Sequence, residues 1–231
     1  MNVPNDAAGA PADVFARLAM DLHEEPGVEE TVDAVLQFAM HAISCTQAGV
    51  VMAHRGGRLE TVAVTDPVAE KIDQLQLECG EGPALTVVAE RDTVLVPDLD
   101  GEQRFPVWAP RALELGPRSM LAIRLHTNDN TLGVLELFHT EPYAFEPDDV
   151  AVAHILAGHA SVAVATARQE ESLWQAVDAR RLVGQAQGIL MERFGIDGDK
   201  AFAVLRRYSQ DNNIKLRDVA HQLIDTRRLP G

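Results

Sequence analysis

Residues 180–193 of this chain have the sequence RRLVGQAQGILMER, and this stretch decides the organisation of the last third. Apolar residues recur in it at helical spacing, which predicts a helix. Its predicted buried face comprises Leu182, Val183, Ala186, Ile189, Leu190 and Phe194. The opposite face comprises two stripes, Arg180, Gly184, Gln187 and Met191 beside Arg181, Gln185, Gly188 and Glu192.

The composition of this second face is unusual for a helix that meets only water. Each mid-helix glycine costs about 1 kcal/mol relative to alanine, so Gly184 and Gly188 require a reason. One interpretation is that another molecule approaches the helix closely. The other is that the helix packs on a neighbouring helix through its glycines, and the stripe alone leaves both open.

Two further helices are predicted downstream. A turn at 195–198 leads to a short amphipathic helix that starts near Asp199, and residues 211–213 break it. A third helix is predicted from Lys215 to about Thr226. Together the three helices can close one small core.

Residues 172–228 resemble the ANTAR family, the RNA-binding antitermination modules attached to bacterial signal receivers. The resemblance rests on GQAQGILMER at 184–193, on Ala201-Phe202 followed by Leu205-Arg206, and on SQDNNIKL at 209–216 running into Asp218-Val219-Ala220. It implies an RNA-binding three-helix domain over 172–231, which acts as a dimer that holds RNA hairpins and prevents a competing terminator from forming. The family's first helix often has lysine where this chain has Gln187.

On this resemblance we predict that polar groups contact loop bases while cations contact phosphates. The predicted RNA-binding residues are Arg180, Arg181, Gln185, Gln187, Met191, Arg206, Ser209, Asn213, Lys215 and Arg217. Met191 is also typical of a core residue, and Arg206 of a solvated face.

The distribution of charge qualifies the prediction of RNA binding. The whole chain carries a formal net charge of −15, which argues against nucleic acid as a partner. Residues 169–231, however, contain ten Lys and Arg against nine Asp and Glu, a net of +1, so the acidity belongs to residues 1–168. A neutral tail is not expected to bind a phosphate backbone tightly without sequence preference, but a few arginines and polar groups can recognise looped RNA.

The preceding part of the chain predicts a sheet flanked by helices. The predicted helices lie at 15–22, 29–43, 66–77 and from about 84, and the predicted strands at 48–53, 59–64, 93–97, 119–126 and 132–140, with a loop at 98–106. Hairpin turns are predicted at 55–57 and 127–130.

This order resembles the GAF family of small-molecule and signal-sensing domains. The residues that carry the resemblance are GEGPAL at 80–85, VPDL at 96–99, RSMLA at 118–122, LGVLEL at 132–137 and PYAF at 142–145. The resemblance implies a GAF-like antiparallel sheet domain over 12–168. The whole chain is therefore predicted to be α+β, with a long connecting helix and a C-terminal three-helix bundle.

The GAF ligand pocket lies between the sheet and the loops that cover one face. In this chain it would draw on Cys79, Glu81, Asp98, Arg104, Phe105, Trp108 and Ser119. Asp98 is also typical of a loop cap and Trp108 of a core residue, so the pocket either is empty or holds a ligand that the sequence cannot name. We expect no cofactor or metal, because the histidines and cysteines show no metal-ligand spacing. Cys45 and Cys79 are predicted to be free thiols rather than a disulfide or a redox sensor.

A connecting helix over 148–183 is predicted to overlap both domains. Ile155, Val162, Ala176 and Val183 are separated by multiples of seven residues, which favours parallel pairing of two chains into a homodimer. His159 and Thr166 interrupt the alternate positions, so a strict two-stranded coiled coil is poorly supported. The alternative is packing on the helix at 15–22, and both arrangements can hold at once.

The sequence as a whole predicts a cytoplasmic sensory regulator that binds RNA hairpin loops in mRNA leaders and acts as an antiterminator. Its input would be a small molecule or an upstream signalling protein at the GAF-like domain. Residues 1–11 are expected to be a flexible leader without signal-peptide character, and no run approaches the roughly 18 apolar residues of a membrane span. The alternative is a protein-interaction module without RNA activity. An enzyme is disfavoured, because Ser119 and Ser172 have no histidine at a recognisable spacing.

Overall fold

The computed structural model describes Met20, Leu22 and residues 27–54, 56–128 and 130–228. The predicted leader and most of the predicted helix at 15–22 lie outside these residues. The chain divides into two compact units, Met1–Arg168 and Gln169–Gly231. This division falls close to the predicted junction between the two domains.

The first unit contains a five-stranded antiparallel sheet in the order β2-β1-β5-β4-β3. Its strands are β1 (Gln47–Ala53), β2 (Leu59–Val64), β3 (Val94–Val96), β4 (Ser119–Thr127) and β5 (Asn130–His139). Each lies where an alternating or continuous apolar run predicted it, so the predicted α+β class with a GAF-like sheet is confirmed.

The helices surround and follow this sheet. In chain order they are α1 (Val28–Ala42), α2 (Pro67–Cys79), α3 (Pro83–Glu90), α4 (Trp108–Leu113), α5 (Pro147–Phe194), α6 (Gly198–Asn212) and α7 (Leu216–Thr226), with a 3₁₀ turn at Leu99–Gly101. Helix α4 was not predicted from the sequence. Helix α5 continues past the expected end at residue 183 and includes the whole of 180–193.

The sheet is buried on both faces because its strands alternate between two cores. On β5, Leu135 and Leu137 belong to the core formed with α1 and the beginning of α5. Val134 and Phe138 on the same strand belong to the core formed with α2, α3 and α4. One face therefore supports the start of the long helix, and the other is covered by the segments of the expected ligand pocket.

Helix α5 is, by length and composition alone, apolar enough to cross a membrane. No such run was expected from the sequence. The window is apolar because it holds almost no charged residues, although histidines interrupt it. This is weak evidence of a membrane span, because core helices of soluble proteins pass the same test. In the first unit the helix buries Ala153, Leu156, Ala157, Ala160 and Val164 in the core under the sheet.

The second unit closes around a small core shared by three helices. Its buried residues are Leu182, Ala186 and Leu190 of α5, Ala201 and Leu205 of α6, and Val219, Ala220 and Leu223 of α7. Phe194 was predicted to join this core but is 62% exposed. It is the last residue of α5 and precedes Gly195, which has a left-handed backbone (φ 61°) and turns the chain away. Leu216, at the start of α7, is only partly buried against this core.

Candidate nucleic-acid interface and sensor core

The stretch 180–193 presents most of its polar side chains to solvent. Only Leu182, Ala186 and Leu190 are buried, because a three-helix core needs no more than a narrow stripe of α5. Exposed residues of α5 in this stretch are Arg180, Arg181, Gly184, Gln185, Gly188, Met191, Glu192 and Arg193. Most of the predicted contact face is thus accessible within this unit.

The two glycines of this face have no neighbour. A Cβ atom built on Gly184 or on Gly188 would meet no atom within 4 Å, in the part of the chain that the structure describes. Contact with another of the described helices therefore does not explain them. Their roughly 1 kcal/mol cost each, relative to alanine, is offset by no packing among the described residues.

Gln187 and Met191 lie on the side of α5 that faces the start of α6. The Gln187 amide donates a hydrogen bond to the carbonyl of Gly198 at 3.0 Å. Met191 is 40% exposed, and its sulfur lies 3.8 Å from the position of a Cβ on Gly198. Gln187 therefore has a structural role in joining α5 to α6, in addition to its predicted role as an RNA contact.

The turn between α6 and α7 brings three predicted contact residues together. Asn213 ends α6 in the left-handed conformation (φ 52°), which asparagine tolerates better than most residues. The Ser209 hydroxyl donates to the carbonyl of Ile214 at 2.6 Å, and Lys215 occupies the N-cap position of α7. Asn213 and Lys215 are exposed, whereas Ser209 is half-buried and holds the turn.

Some of the cations predicted to bind RNA form ion pairs within the described residues, and others do not. Arg181 donates to Asp178 at 2.8 Å, and Arg217 lies 4.0 Å from the same carboxylate. The hydrogen bond from Arg181 is the main reason that the pKa of Asp178 is lowered. By contrast, Arg180, Arg206 and Lys215 form no ion pair within the described ranges.

The candidate ligand residues of the first unit all have partners inside that unit. The Glu81 carboxylate accepts from the backbone amides of Val107 and Trp108, at 2.6 and 2.8 Å. It therefore caps the start of α4 from a loop far away in sequence. Trp108 is fully buried, and its indole nitrogen donates to the carbonyl of Ile72 at 3.3 Å.

The remaining candidates are also engaged. The Arg104 guanidinium donates hydrogen bonds to both carboxylate oxygens of Glu102, the shortest at 2.6 Å. It also lies 5.5 Å from the centre of the buried Phe105 ring. The other three side chains are paired as well: Asp98 accepts from the Asp100 amide, the Ser119 hydroxyl donates to the Glu141 carbonyl, and Cys79 accepts from Arg111.

A pair of buried carboxyls lies next to these segments and was not predicted from the sequence. Asp73 of α2 and Glu136 of β5 are 3% and 0% exposed. The Thr61 hydroxyl donates to Asp73 at 2.9 Å, and the Gln76 amide donates to Glu136 at 2.8 Å. The only sequence signal was a glutamate inside the otherwise apolar strand at 132–138.

One oxygen of each acid is left without a donor. Asp73 Oδ1 and Glu136 Oε2 have no partner within the described residues while both groups are ionised. We predict that the two acids share a single proton, which would supply a hydrogen bond between them. Burial, and secondarily the charge of Asp73, raises the pKa of Glu136 well above its usual range. Burial also raises the pKa of Asp73.

Gln76, which donates to Glu136, also holds the GEGP segment at 80–83 in place. The side-chain oxygen Oε1 of Gln76 accepts a hydrogen bond from the backbone amide of Ala84 at 2.7 Å. A Cβ on Gly82 would lie 2.5 Å from the Gln76 side chain, and Gly82 has a φ of 148°. Only glycine fits at this position without a shift. The carboxyl pair, the sheet and the loop of the expected pocket are therefore joined through one glutamine.

The two thiols are free, as predicted. Burial, and secondarily the negative charge of Asp149, raises the pKa of Cys45 to about 11. This thiol is therefore protonated at neutral pH and a poor nucleophile. Within the described residues, no group of three or more His, Cys, Asp or Glu side chains is arranged to hold a metal ion.

The fold defines a two-domain protein, in which a five-stranded sheet domain precedes a three-helix domain. The family model described as a GAF domain matches residues 25–165, and the chain belongs to this family. The model described as an ANTAR domain matches residues 171–224. The chain is therefore a GAF domain followed by an ANTAR domain, and ANTAR is known as an RNA-binding antitermination domain.

Solved structures show the same fold for the first unit. A GAF domain of the Acinetobacter phosphoenolpyruvate-protein phosphotransferase is 16% identical, covers 72% of this chain and 99% of its own, and has a TM-score of 0.56. The corresponding domain from Coxiella burnetii is 18% identical, covers 70% and 96%, and has a TM-score of 0.57.

Free methionine-R-sulfoxide reductase from Neisseria meningitidis is similar too, at 16% identity, coverage of 74% and 99%, and a TM-score of 0.55. At these identities the likeness establishes the fold alone. No curated protein matches the chain.

The carboxyl pair predicts a pH dependence of stability. Because the folded-state pKa of Glu136 exceeds its unfolded value, the folded chain binds more protons, and stability falls as the pH rises from about 4.5 through the folded pKa. Glu136→Gln removes this titration while keeping the shape of the side chain. We expect the stability of the variant relative to the wild type to increase between pH 4.5 and 8.

The measurement is urea denaturation followed by the fluorescence of Trp108, in a Trp174→Phe background that leaves one tryptophan. Glu90→Gln, at an exposed carboxyl of α3, is the matched control and should keep the wild-type slope. Equal pH dependence of Glu136→Gln and the control would contradict the shared proton.

Proposed function

We propose that this protein is a cytoplasmic sensory regulator whose ANTAR domain binds hairpin loops in mRNA leaders and acts as a transcription antiterminator. The GAF domain governs this activity in response to a small molecule or an upstream signalling protein. GAF and ANTAR domains are sensory and regulatory rather than catalytic. In this proposal the GAF domain receives the signal, and the ANTAR domain responds by binding the transcript.

The observation that carries the proposal is the open glycine-containing face of α5. Gly184 and Gly188 destabilise the helix, and no packing within the described chain explains them. Arg180, Arg181 and Gln185 surround them and are exposed. A bulky ligand such as a folded RNA loop can approach the helix backbone closely only where side chains are missing, and recognition of such loops needs polar and cationic side chains nearby.

The free cations supply the phosphate contacts in this proposal. Arg206 and Lys215 are exposed and form no ion pair within the described residues, so they release no protein partner on binding a phosphate. With Asn213 they extend the surface beyond α5. The near-neutral charge of 169–231 implies that such contacts position the RNA, while contacts to the bases select it.

Pairing of two chains through residues 148–183 is the second part of the proposal. In the first unit α5 exposes Ile155 and Val162, at 47% and 64%. In the second unit it exposes Leu173, Trp174 and Val177. Exposed large apolar side chains on a helix are typical of an interaction surface. A homodimer would cover them and provide two RNA-binding domains for two hairpins.

The packing of α5 within the first unit supports the assignment to the cytoplasm. Its apolar residues, including Leu156 and Val164, pack under the sheet, as they do in a core helix. We therefore propose no membrane span.

For the input, the candidate ligand residues are those around Glu81, Arg104 and Trp108 together with Cys79, Asp98, Phe105 and Ser119. Any ligand there competes with the internal contacts described above.

A second candidate function is protein interaction without RNA. It is favoured by the exposure of Phe194, Phe202 and Val204 in the second unit, at 62%, 38% and 39%. A partner protein could cover these apolar side chains. The RNA-binding experiments below separate the two functions.

The glycine face predicts a trade-off between stability and binding. Gly184→Ala should stabilise the second unit by about 0.5–1 kcal/mol, because the new methyl group meets no atom and the helix propensity improves. The same change should weaken RNA binding, because the methyl group obstructs close approach. Thermal denaturation by circular dichroism and gel shifts at low salt measure the two effects.

Gly101→Ala is the control, because Gly101 lies in the first unit, outside residues 148–183, with open space at its Cβ position among the described residues. It should leave RNA binding unchanged. A Gly184→Ala variant that binds RNA as the wild type does would argue against close approach at this face.

The cations predict a loss of RNA binding by charge reversal. Arg206→Glu combined with Lys215→Glu should lower affinity for selected stem-loops by at least tenfold at low salt, since two phosphate contacts become repulsive. The stem-loops are obtained by selecting wild-type binders from a library with randomised loops. In single-round transcription through a terminator that follows two such stem-loops, read-through should fall in parallel.

Lys71→Glu, at an exposed lysine of α2 in the first unit, controls for the change in net charge and should leave both measurements unchanged. If no stem-loop is enriched by the wild type at low salt, the protein-interaction function is favoured instead.

The apolar row on α5 predicts a dimer that one charge can break. Trp174 is 73% exposed, so Trp174→Glu should leave the fold intact and shift the chain towards a monomer in sedimentation equilibrium. Lys71→Glu, a charge reversal outside α5, should keep the wild-type mass. A wild-type chain that is monomeric at micromolar concentration would contradict the proposed pairing.

A further inference from the structure

A groove runs between α5 and the end of α7 within the second unit. Its volume is about 500 Å³, and it is lined by Gln185, Gly188, Ile189, Glu192, Ile224 and Arg227. This volume falls in the range of roughly 300–1,000 Å³ that is usual for small-molecule sites. Of these residues, only Gln185 was among the predicted RNA contacts.

The groove exists because of one missing side chain and one fixed helix end. Gly188 leaves the wall of α5 open, since a Cβ there would meet nothing within 4 Å. The Arg193 guanidinium donates to the backbone carbonyl of Arg227 at 2.7 Å and holds the end of α7 beside α5. Ile189 and Ile224 are half-buried against the core and supply an apolar surface.

The polar side chains of the groove are not committed to one another. Glu192 and Arg227 carry opposite charges and line the same space, yet no ion pair within 4.0 Å joins them. The Gln185 amide, likewise, has no hydrogen-bond partner within the described residues. The groove therefore offers a carboxylate that only accepts, a guanidinium that only donates and an amide that does both.

This combination matches an unpaired nucleobase. A flat aromatic ring can lie on the isoleucines while its edges reach the polar groups, as single-stranded bases do in proteins. Guanine fits the charges best, because its N1–H and N2–H₂ are adjacent donors for a carboxylate. Its O6 and N7 are adjacent acceptors for an arginine fork.

We propose that this groove binds one unpaired guanine from the RNA loop, with Glu192 on the Watson–Crick edge and Arg227 on the O6/N7 edge. The proposal rests on the RNA-binding function proposed above and specifies the base that one subsite selects. Glu192 and Arg227 determine base specificity, whereas Arg206 and Lys215 contribute affinity for the backbone.

The test is a selection of stem-loops with randomised loops by the full-length wild type, followed by affinity measurements on the four bases at each enriched position. We expect one loop position to prefer guanine. In Glu192→Gln the new amide places a donor against the donors of guanine, so the preference at that position should fall by about tenfold or more. Binding of the same loop with adenine there should fall much less.

Three controls make the result specific. Glu90→Gln is the same substitution at an exposed carboxyl of α3, outside the helix α5, and should keep the preference for guanine. Arg227→Lys keeps the charge but removes the fork, and should reduce the same preference. Thermal denaturation checks that each variant is folded, which is expected because the Glu192 side chain has no partner to lose within the described residues.

The outcomes separate this proposal from the function on which it rests. Binding of RNA with no position that prefers guanine, or an unchanged preference in Glu192→Gln, would overturn the groove assignment alone. Absence of any enriched RNA would overturn both. If guanosine monophosphate competes at micromolar concentration, the ligand is a free nucleotide rather than a loop base, and the assignment to RNA is wrong.

Discussion

The packing of three helices around a very small core is the constraint on which the output domain depends. Only three residues of α5, Leu182, Ala186 and Leu190, enter that core together with five from α6 and α7. Because so little of the circumference of α5 is needed for folding, the rest is free to carry function. A core this small also contributes little to the free energy of unfolding. Each mid-helix glycine on the outer face therefore removes a sizeable part of it.

In the GAF domain, by contrast, polar groups are used inside the fold. Its sheet is covered on both faces, and its polar groups are drawn inward to fix loops: Glu81 caps α4, and Gln76 joins Glu136 to the loop before α3. The buried pair Asp73 and Glu136 makes this side of the sheet sensitive to protonation. A ligand or a signalling partner that exchanges any of these hydrogen bonds would have a direct route to changing the domain's stability.

Much of this organisation could be predicted from the sequence, because it depends on local pattern. The strands at 59–64 and 119–127 and the helices α6 and α7 follow from apolar periodicity and turn residues. Helix α4 could not be predicted, because it is six residues long and its cap, Glu81, lies in a distant segment.

Other misses have the same non-local cause. The exposure of Phe194 depends on how α5 ends at Gly195, and the structural bond of Gln187 on where α6 begins. The groove beside Gly188 requires α7 to lie against α5, so no spacing within one segment reveals it.

The most direct test of the account is ultraviolet crosslinking of the full-length protein to RNA in cells, with mass-spectrometric identification of the crosslinked residues. The account predicts crosslinks within 180–217 and at the groove residues, on transcripts whose leaders contain paired stem-loops before a terminator. Crosslinks confined to the GAF domain, or RNA recovery no greater than without irradiation, would contradict it.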